Sequence, residues 1–228
     1  MCADYTPSRK ERIRDQFELD LEVFDLPDFP EAYPGYMAPI LRSGQDASTA
    51  VECVPAMFGM VPHWADFKLA RQTYNARTET VATKPSYRNA WKRHQFCIIP
   101  ADNFYEPCYE ADPEGKKSIR WKIWPVDERP LGIAGIWEWR ANGPDGAPLV
   151  SCSMLTVNAD GHPLMKRFHK PNDEKRMVVI LDPEMYRPWL NGTLSAEEIA
   201  GLLRTYPAEL LASAASPIPP RPKKIPAK

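Results

Sequence analysis

The stretch at residues 119–124, Ile-Arg-Trp-Lys-Ile-Trp, places Ile, Trp and Ile on one face of an extended chain and Arg, Lys and Trp on the other. A period of two is typical of a β-strand with one buried face. Apolar runs at 96–100, 131–139, 150–157 and 177–181 continue the pattern, and Gly-rich or Pro-rich turns separate several of them. The sequence therefore predicts a strand-rich middle.

Helices are predicted towards both ends of the chain. A capping-box pattern at residues 8–11 precedes apolar residues at helical spacing, which predicts a helix over 9–24. A short helix is predicted at 86–93. Two more are predicted at 183–190 and from Ser195 onwards, the last with another capping box. Successive strands with helices at the ends indicate the α+β class.

Length and composition allow one sizeable core in the 228-residue chain. Its 25 prolines favour short strands joined by loops over a helical bundle. We expect one domain over residues 1–215 and a disordered Pro- and Lys-rich tail over 216–228. No apolar run approaches the ~20 residues of a membrane span, and the start lacks a signal-peptide pattern. We therefore expect a cytoplasmic protein, and we expect it to be a monomer.

The five cysteines are widely spaced and form no CxxC pair. No Cys/His spacing resembles a zinc site. We therefore expect reduced thiols, no bound metal and no cofactor.

A basic stretch, residues 67–101, carries seven Lys and Arg residues against one acid. Trp64, Tyr74, Tyr87 and Trp91 lie in it or beside it. Aromatic side chains interleaved with cations are typical of proteins that bind single-stranded nucleic acid. A solvated basic face is the simpler interpretation.

Cys2 directly follows Met1. Removal of Met1 would leave an α-amine and a thiol on adjacent carbons, a 1,2-aminothiol. Such a group attacks an aldehyde first through nitrogen, as an imine, and then through sulfur to close a ring. Both groups are usable near neutral pH, because their reference pKa values are about 8 and about 8.5. The alternative is a cysteine of no consequence at a flexible terminus.

Four further segments carry side chains suited to a site. Residues 75–79 alternate Asn, Arg and Glu, so an extended chain would place three polar groups on one face; an Arg–Glu ion pair is the simpler interpretation. Glu106 follows an apolar strand and two aromatic residues. If these neighbours exclude water, the carboxyl group is suited to proton transfer. The alternative is a surface glutamate at the end of a strand. His169 precedes an apolar strand, and Trp64 stands on a turn.

Taken together, these segments resemble the SRAP family, the SOS-response-associated peptidases that process abasic sites in DNA. The resemblance implies a mixed or antiparallel, barrel-like sheet with peripheral helices. It rests on an ordered set of motifs over residues 2–181: Cys2 behind Met1, Gly59…Pro62-x-Trp64-Ala65, Asn75-Ala76-Arg77-x-Glu79-Thr80, Ile99-Pro100-Ala101-Asp102-x-Phe104-Tyr105-Glu106, Gly135-Ile136-Trp137-Glu138, and His169 before Arg176-Met177-Val178-Val179-Ile180-Leu181.

The family's reaction is the capture of the open-chain aldehyde of an abasic deoxyribose, in single-stranded DNA, as a thiazolidine crosslink. By position, Cys2 resembles the nucleophile, and Asn75 resembles the residue that orients the reacting terminus or sugar. Glu106 resembles the acid/base, and His169 resembles the group that protonates the sugar ring oxygen.

Three more residues are assigned to DNA by the same resemblance. Arg77 is similar to a phosphate-contacting arginine, Trp64 to an aromatic wedge near the displaced bases, and Arg176 is grouped with them. The resemblance also implies removal of Met1 by autoproteolysis, although a general aminopeptidase would serve equally well, and a lyase-like strand cleavage.

The chain departs from the family at three places. Ala3-Asp4 stands where the family has Gly-Arg, and Tyr36 stands where the family's Asn-x-Ala-Pro begins. Residues 170–175 separate His169 from Arg176, where the family has a compact His-x-Arg-Met.

Two other functions fit the same residues. In an N-terminal-nucleophile amidohydrolase or peptidase, the Cys2 amine would be the general base for its own thiol, and an acyl intermediate would form. The other function is that of a non-catalytic module that binds single-stranded DNA. The departure from the family at Asp4 leaves this alternative open. The basic stretch favours DNA over an amide substrate.

Overall fold

The structure, a computed structural model, describes residues 2–17, 21–23, 30–44, 51–112 and 114–218. Short 3-10 turns lie at Phe67–Gln72, Met165–Arg167, Pro183–Met185 and Ala208–Leu210. The strands and α-helices of this part of the chain are, in order, β1 (Asp4–Pro7), α1 (Lys10–Gln16), β2 (Leu21–Val23), β3 (Met37–Ser43), β4 (Val51–Phe58), β5 (Asn75–Arg77), α2 (Arg88–Lys92), β6 (Phe96–Cys108), β7 (Ile119–Pro125), β8 (Leu131–Arg140), β9 (Leu149–Asn158), β10 (Arg176–Val178), β11 (Ile180–Leu181), α3 (Tyr186–Asn191), α4 (Ala196–Leu202) and β12 (Leu211–Ala215).

The centre of the sheet closes into a barrel. Strands β8, β9, β4, β3 and β6 neighbour one another in that order, and β6 pairs back onto β8. The closing β6–β8 pair is antiparallel, from Phe96↔Ile136 to Ala101↔Leu131. Closure satisfies the backbone groups that open sheet edges would expose. The mixed sheet with peripheral helices confirms the prediction of an α+β fold with a barrel-like sheet.

One contiguous apolar core fills the fold. Ile40, Phe58, Ile98, Ile136 and Met154 supply one fully buried side chain from each of the five ring strands. Consecutive residues of β3, β6 and β9 are also buried, so both faces of these strands are covered and their burial does not alternate.

Two strands outside the ring bring distant segments together. β1 pairs antiparallel with β6, with Asp4 opposite Tyr105, so the start of β1 runs beside Glu106. β5 pairs parallel with β9, with Asn75 opposite Met154. The N-terminus, β5 and β6 therefore meet at one end of the sheet.

The helix predicted over 9–24 is wrong in length, because α1 ends at Gln16 and β2 follows it. Ser8 does not cap α1: its hydroxyl donates to Asp102 Oδ1 at 2.7 Å, and Arg9 is the N-cap residue. The long-range hydrogen bond from Ser8 to Asp102 therefore replaces the predicted local cap of α1.

The capping box at Ser195 is confirmed. The Glu198 backbone N–H donates to Ser195 Oγ at 3.2 Å, and the Ser195 N–H donates to Glu198 Oε2 at 2.7 Å. The predicted strand at 119–124 is confirmed as β7, whereas β1 and β12 were not predicted. Met1 and most of the predicted tail, 219–228, lie outside the described residues. No helix among the described residues is long and apolar enough to cross a membrane.

Candidate functional site

Cys2 lies buried at the entry to β1. Its side chain is 1% exposed, and its thiol donates to the Asp4 carbonyl oxygen at 3.5 Å. Burial raises the pKa of the Cys2 thiol well above its usual value, and the negative charges of Glu106 and Asp4 raise it further. The thiol is therefore protonated at neutral pH in this conformation.

Asn75, the first residue of β5, contacts Cys2 directly. Its Nδ2 donates to the Cys2 carbonyl oxygen at 2.8 Å. The Tyr87 hydroxyl, next to α2, donates to the Asn75 carbonyl oxygen at 3.1 Å and braces the strand. Asn75 Oδ1 is buried and accepts no hydrogen bond from the described residues, so it is an available acceptor for an incoming donor.

Glu106 and His169 form a buried pair beside Cys2. His169 Nε2 lies 2.9 Å from Glu106 Oε2, with side chains 6% and 2% exposed. The two atoms are in close contact but are not aligned as a hydrogen bond. The backbone of His169 has a φ of +64°, and its backbone N–H donates to the Pro107 carbonyl oxygen at 2.8 Å. A non-glycine residue in this region is uncommon, and such residues cluster at functional sites.

Tyr74 directly precedes Asn75 in the chain. Burial raises the pKa of Tyr74. Its ring packs edge-on against Phe58, with centroids 5.7 Å apart. The sequence marked Tyr74 only as an aromatic of the basic stretch.

Asp4 is neutralised by Arg120 of β7. Arg120 Nε and Nη2 each lie 2.7 Å from Asp4 Oδ2, and Nη2 lies 2.9 Å from Glu31 Oε1. The guanidinium also stacks 3.3 Å from the centroid of the Tyr105 ring. Burial raises the pKa of Asp4, while Arg120 opposes that rise. Sequence reasoning missed Arg120, because its partner is 116 residues away and no local motif joins them.

The arrangement brings together four of the predicted site residues: Cys2, Asn75, Glu106 and His169. A thiol, an amide that holds its backbone, and an adjacent carboxylate and imidazole are suited to nucleophilic attack with proton transfer. All five cysteines fall within the described ranges, and each is buried and outside any disulfide. Those ranges hold no group of three or more His, Cys, Asp or Glu residues that could ligate a metal ion.

Comparison over the whole chain decides the family. The SOS response associated peptidase (SRAP) family matches residues 1–218. The chain belongs to the SRAP family. The resemblance found in the motifs is thereby confirmed.

Relatives of this SRAP chain are similar over most of its length. Abasic site processing protein YoqW of Bacillus subtilis (strain 168) is 33% identical over 218 residues, which cover 92% of this chain and 89% of YoqW. Abasic site processing protein HMCES of Gallus gallus is 28% identical over 208 residues, covering 78% of this chain and 58% of HMCES. A crystal structure of a Bordetella bronchiseptica protein has a TM-score of 0.80 at 34% identity, covering 95% of this chain and 100% of that one.

Trp64 is displayed on the surface of the SRAP chain, 55% exposed, on the turn that follows β4. Gly59 begins this turn with a φ of +112°, and a Cβ there would overlap the backbone of Ala70, so only glycine fits. Arg140 of β8 holds the far side, its Nη1 donating to the Ala65 carbonyl oxygen at 3.0 Å. The turn is therefore fixed to the sheet through Gly59 at one end and Arg140 at the other.

Arg77 and Arg176 differ in their surroundings. Arg77 is on the surface, its side chain 48% exposed, and pairs with Glu174 at 2.7 Å, so the alternative Arg77–Glu79 pair does not form. Arg176 is buried; its Nη1 lies 2.8 Å from Glu79 Oε1 and 2.7 Å from Glu174 Oε1, and its Nη2 donates to Thr156. A phosphate would reach Arg176 only after these ion pairs opened. The structure therefore does not bring Arg176 to the site.

Proposed function

We propose that this SRAP chain processes abasic sites in single-stranded DNA by capturing the ring-opened sugar covalently at Cys2. The observation that carries the proposal is the 2.8 Å hydrogen bond from Asn75 to the Cys2 carbonyl, with the Glu106–His169 pair beside the thiol. The relatives YoqW and HMCES are abasic site processing proteins, which supports the proposal.

The reaction begins with hydrolysis of the Met1–Cys2 amide by the chain itself, which consumes one water. The freed Cys2 amine adds to the sugar aldehyde, and one water leaves as the imine forms. The thiol then adds to the imine carbon, and its proton passes to nitrogen as the thiazolidine closes. Elimination of a strand phosphate at the imine stage would account for a lyase-like activity.

Each neighbour of Cys2 has a part in this scheme. Asn75 fixes the Cys2 carbonyl and so aims the amine and thiol. Glu106 shuttles protons during imine formation and ring closure. His169 gives a proton to the sugar ring oxygen as it opens, and its Nε2 lies 2.9 Å from Glu106 Oε2, so a small reorientation would align the pair for proton transfer.

DNA is held on the exposed basic and aromatic surface around the site. Arg77 follows Asn75 by two residues on β5, which is roughly 7 Å along the strand, and Trp64 would stack on or wedge the bases. The cations of the basic stretch are all exposed: Lys68, Arg71, Arg77, Lys84, Arg88, Lys92 and Arg93. A monomer acting in the cytoplasm during the response to DNA damage belongs to the same proposal.

The test is a denaturing gel with a single-stranded oligonucleotide that carries one abasic site. We expect a shifted band that Cys2→Ala abolishes and that Cys53→Ala, which removes another buried thiol, preserves. Intact mass is expected to show loss of Met1. Binding to the oligonucleotide without any band that survives denaturation would establish the non-catalytic module instead. An acyl adduct on Cys2 would establish the amidohydrolase.

A further inference from the structure

A cationic pocket opens beside His169. It is an open depression of about 420 Å³, and its wall includes Lys166, Arg167, Lys175 and His169. Three cations therefore face the single carboxylate of the lining, that of Glu110. The pocket carries an excess of positive charge, and it adjoins the proposed reaction site through His169.

The three cations are engaged to different degrees. Arg167 donates from Nε and Nη2 to the two oxygens of Glu110, each at 2.9 Å, so these two charges neutralise each other. The Lys175 ammonium donates to the Lys170 and Pro171 carbonyl oxygens and ties the loop closed. Lys166 is exposed and pairs with no carboxylate among the described residues. Lys166 is therefore the cation best placed to meet an anion in the pocket.

His169 connects this pocket to the reacting groups. Its Nε2 approaches Glu106, whereas its Nδ1 is buried and has no hydrogen-bond partner in the described part of the chain. A buried ring nitrogen without a partner is costly, and it marks a position where a ligand's polar atom would be stabilised.

We propose that this pocket binds a phosphate of the DNA strand directly adjoining the abasic sugar, with Lys166 as its principal cation. The inference rests on the proposed function, which places the sugar between Cys2 and His169. A sugar within a strand carries a phosphate on each side, so one of the two must leave the site close to His169. A concave cationic wall at that point matches the charge of a phosphodiester.

The experiment measures equilibrium binding by fluorescence anisotropy, using oligonucleotides that carry a tetrahydrofuran abasic analogue. This analogue has no aldehyde, so binding is separated from chemistry. We compare Lys166→Ala with Lys170→Ala, which removes an exposed lysine of the neighbouring loop that does not line the pocket. We expect Lys166→Ala to weaken binding about tenfold, as for loss of one charged hydrogen bond. The slope of log affinity against log salt should fall by about 0.7, one phosphate contact to a single strand.

A second set of oligonucleotides identifies the ligand. Neutral methylphosphonates replace the phosphate on the 5′ side, on the 3′ side, or on both sides of the analogue. On the oligonucleotide that lacks the bound phosphate, wild type and Lys166→Ala should have equal affinity. Equal weakening by Lys170→Ala, or a Lys166→Ala defect that persists on all three neutralised oligonucleotides, would overturn the inference. A wild-type protein that forms no gel band with a true abasic site would instead refute the proposed function, and this leaves the anisotropy result valid.

Discussion

Replacing Arg176 with methionine removes a buried charge but keeps the aliphatic stem. The Arg176 guanidinium meets Glu79 at 2.8 and 2.9 Å and Glu174 at 2.7 Å, and its own side chain is 2% exposed. Breaking a fully buried pair by removing one partner costs about 3–5 kcal/mol. The two carboxylates left behind are 49% and 32% exposed, so water can hydrate them and reduce that cost.

Arg176→Met also removes the hydrogen bonds from Nη2 to the carbonyl oxygen and to Oγ1 of buried Thr156. The carbonyl oxygen still accepts from the Thr78 backbone N–H at 3.0 Å, whereas Oγ1 loses its Arg176 donor, which adds about 1 kcal/mol. We therefore expect Arg176→Met to lower the free energy of unfolding by about 2–3 kcal/mol. For a chain of this size that corresponds to a fall in Tm of roughly 4–12 °C.

Thermal unfolding followed by circular dichroism measures the stability, and anisotropy with an undamaged single strand measures DNA binding. The matched control is Arg77→Met, an exposed arginine that pairs with the same Glu174. It should change stability by less than about 1 kcal/mol, while it weakens binding and lowers the salt slope. An Arg176→Met protein with unchanged Tm and a lower salt slope would refute this reasoning and establish Arg176 as a phosphate contact.

The pH dependence of the same variant gives a second check. Hydrogen bonds from Arg176 lower the pKa of both Glu79 and Glu174 from the usual 4.5. A carboxylate with a lowered pKa contributes stability above its unfolded pKa, and the contribution is lost as pH falls through the folded value. The difference in stability between wild type and Arg176→Met should therefore be largest near pH 7 and shrink below about pH 4.

Three further predictions concern the region around the site and one helix. Arg120→Met should lower the free energy of unfolding by about 2 kcal/mol at pH 7.5, because it strips Asp4 of its counter-ion. Because burial raises the pKa of Asp4, protonation of this carboxylate at pH 4.5 should make the loss in free energy of unfolding smaller, as measured by urea unfolding. Ser195→Ala should cost about 1 kcal/mol, or a fall in Tm of roughly 2–4 °C, through loss of a helix cap. Glu106→Gln should speed alkylation of Cys2 by iodoacetamide, because loss of the Glu106 charge lowers the pKa of the thiol, while it slows crosslinking on the gel; parallel changes in both rates would contradict the assigned role.

The parts of the fold that follow from local pattern were predictable. The period-two stretch at 119–124 forms β7, in which Ile123 is buried and Ile119 is exposed, so the alternation predicted the strand but not a uniformly buried face. The capping box at Ser195 formed because both of its partners lie within one helical turn. Neither prediction needed knowledge of a distant segment.

The errors arose where a distant residue decided the local structure. Ser8 and Asp102 are 94 positions apart, and their hydrogen bond removed the cap on which the prediction of α1 depended. β1 is four residues long, and its strand state comes from pairing with β6, which no pattern in residues 4–7 reveals. The Asp4–Arg120 pair is hidden for the same reason.

Residue types at the site could be named from motif order, but their mutual geometry could not. The insertion at 170–175 lengthens the link between His169 and Arg176, yet His169 stays 2.9 Å from Glu106. The backbone N–H of His169 donates to the Pro107 carbonyl oxygen, and Phe168 forms a β-bridge with Cys108. Pro107 and Cys108 both belong to β6, so His169 is held beside this strand. The loop absorbs the extra length on the surface side, where the cationic pocket lies.

The raised pKa of the Cys2 thiol constrains the order of events at the proposed site. The Glu106 carboxylate that repels a thiolate also cannot stabilise one, so a free thiolate is a poor intermediate in this environment. The thiol proton must instead leave as the carbon–sulfur bond forms, and a nearby carboxylate is the group that can accept it at that moment. Attack through nitrogen therefore comes first, and the thiol adds to the imine that this attack forms. Burial of Cys2 thus favours ring closure on an imine already in place over indiscriminate reaction of the thiol with other electrophiles.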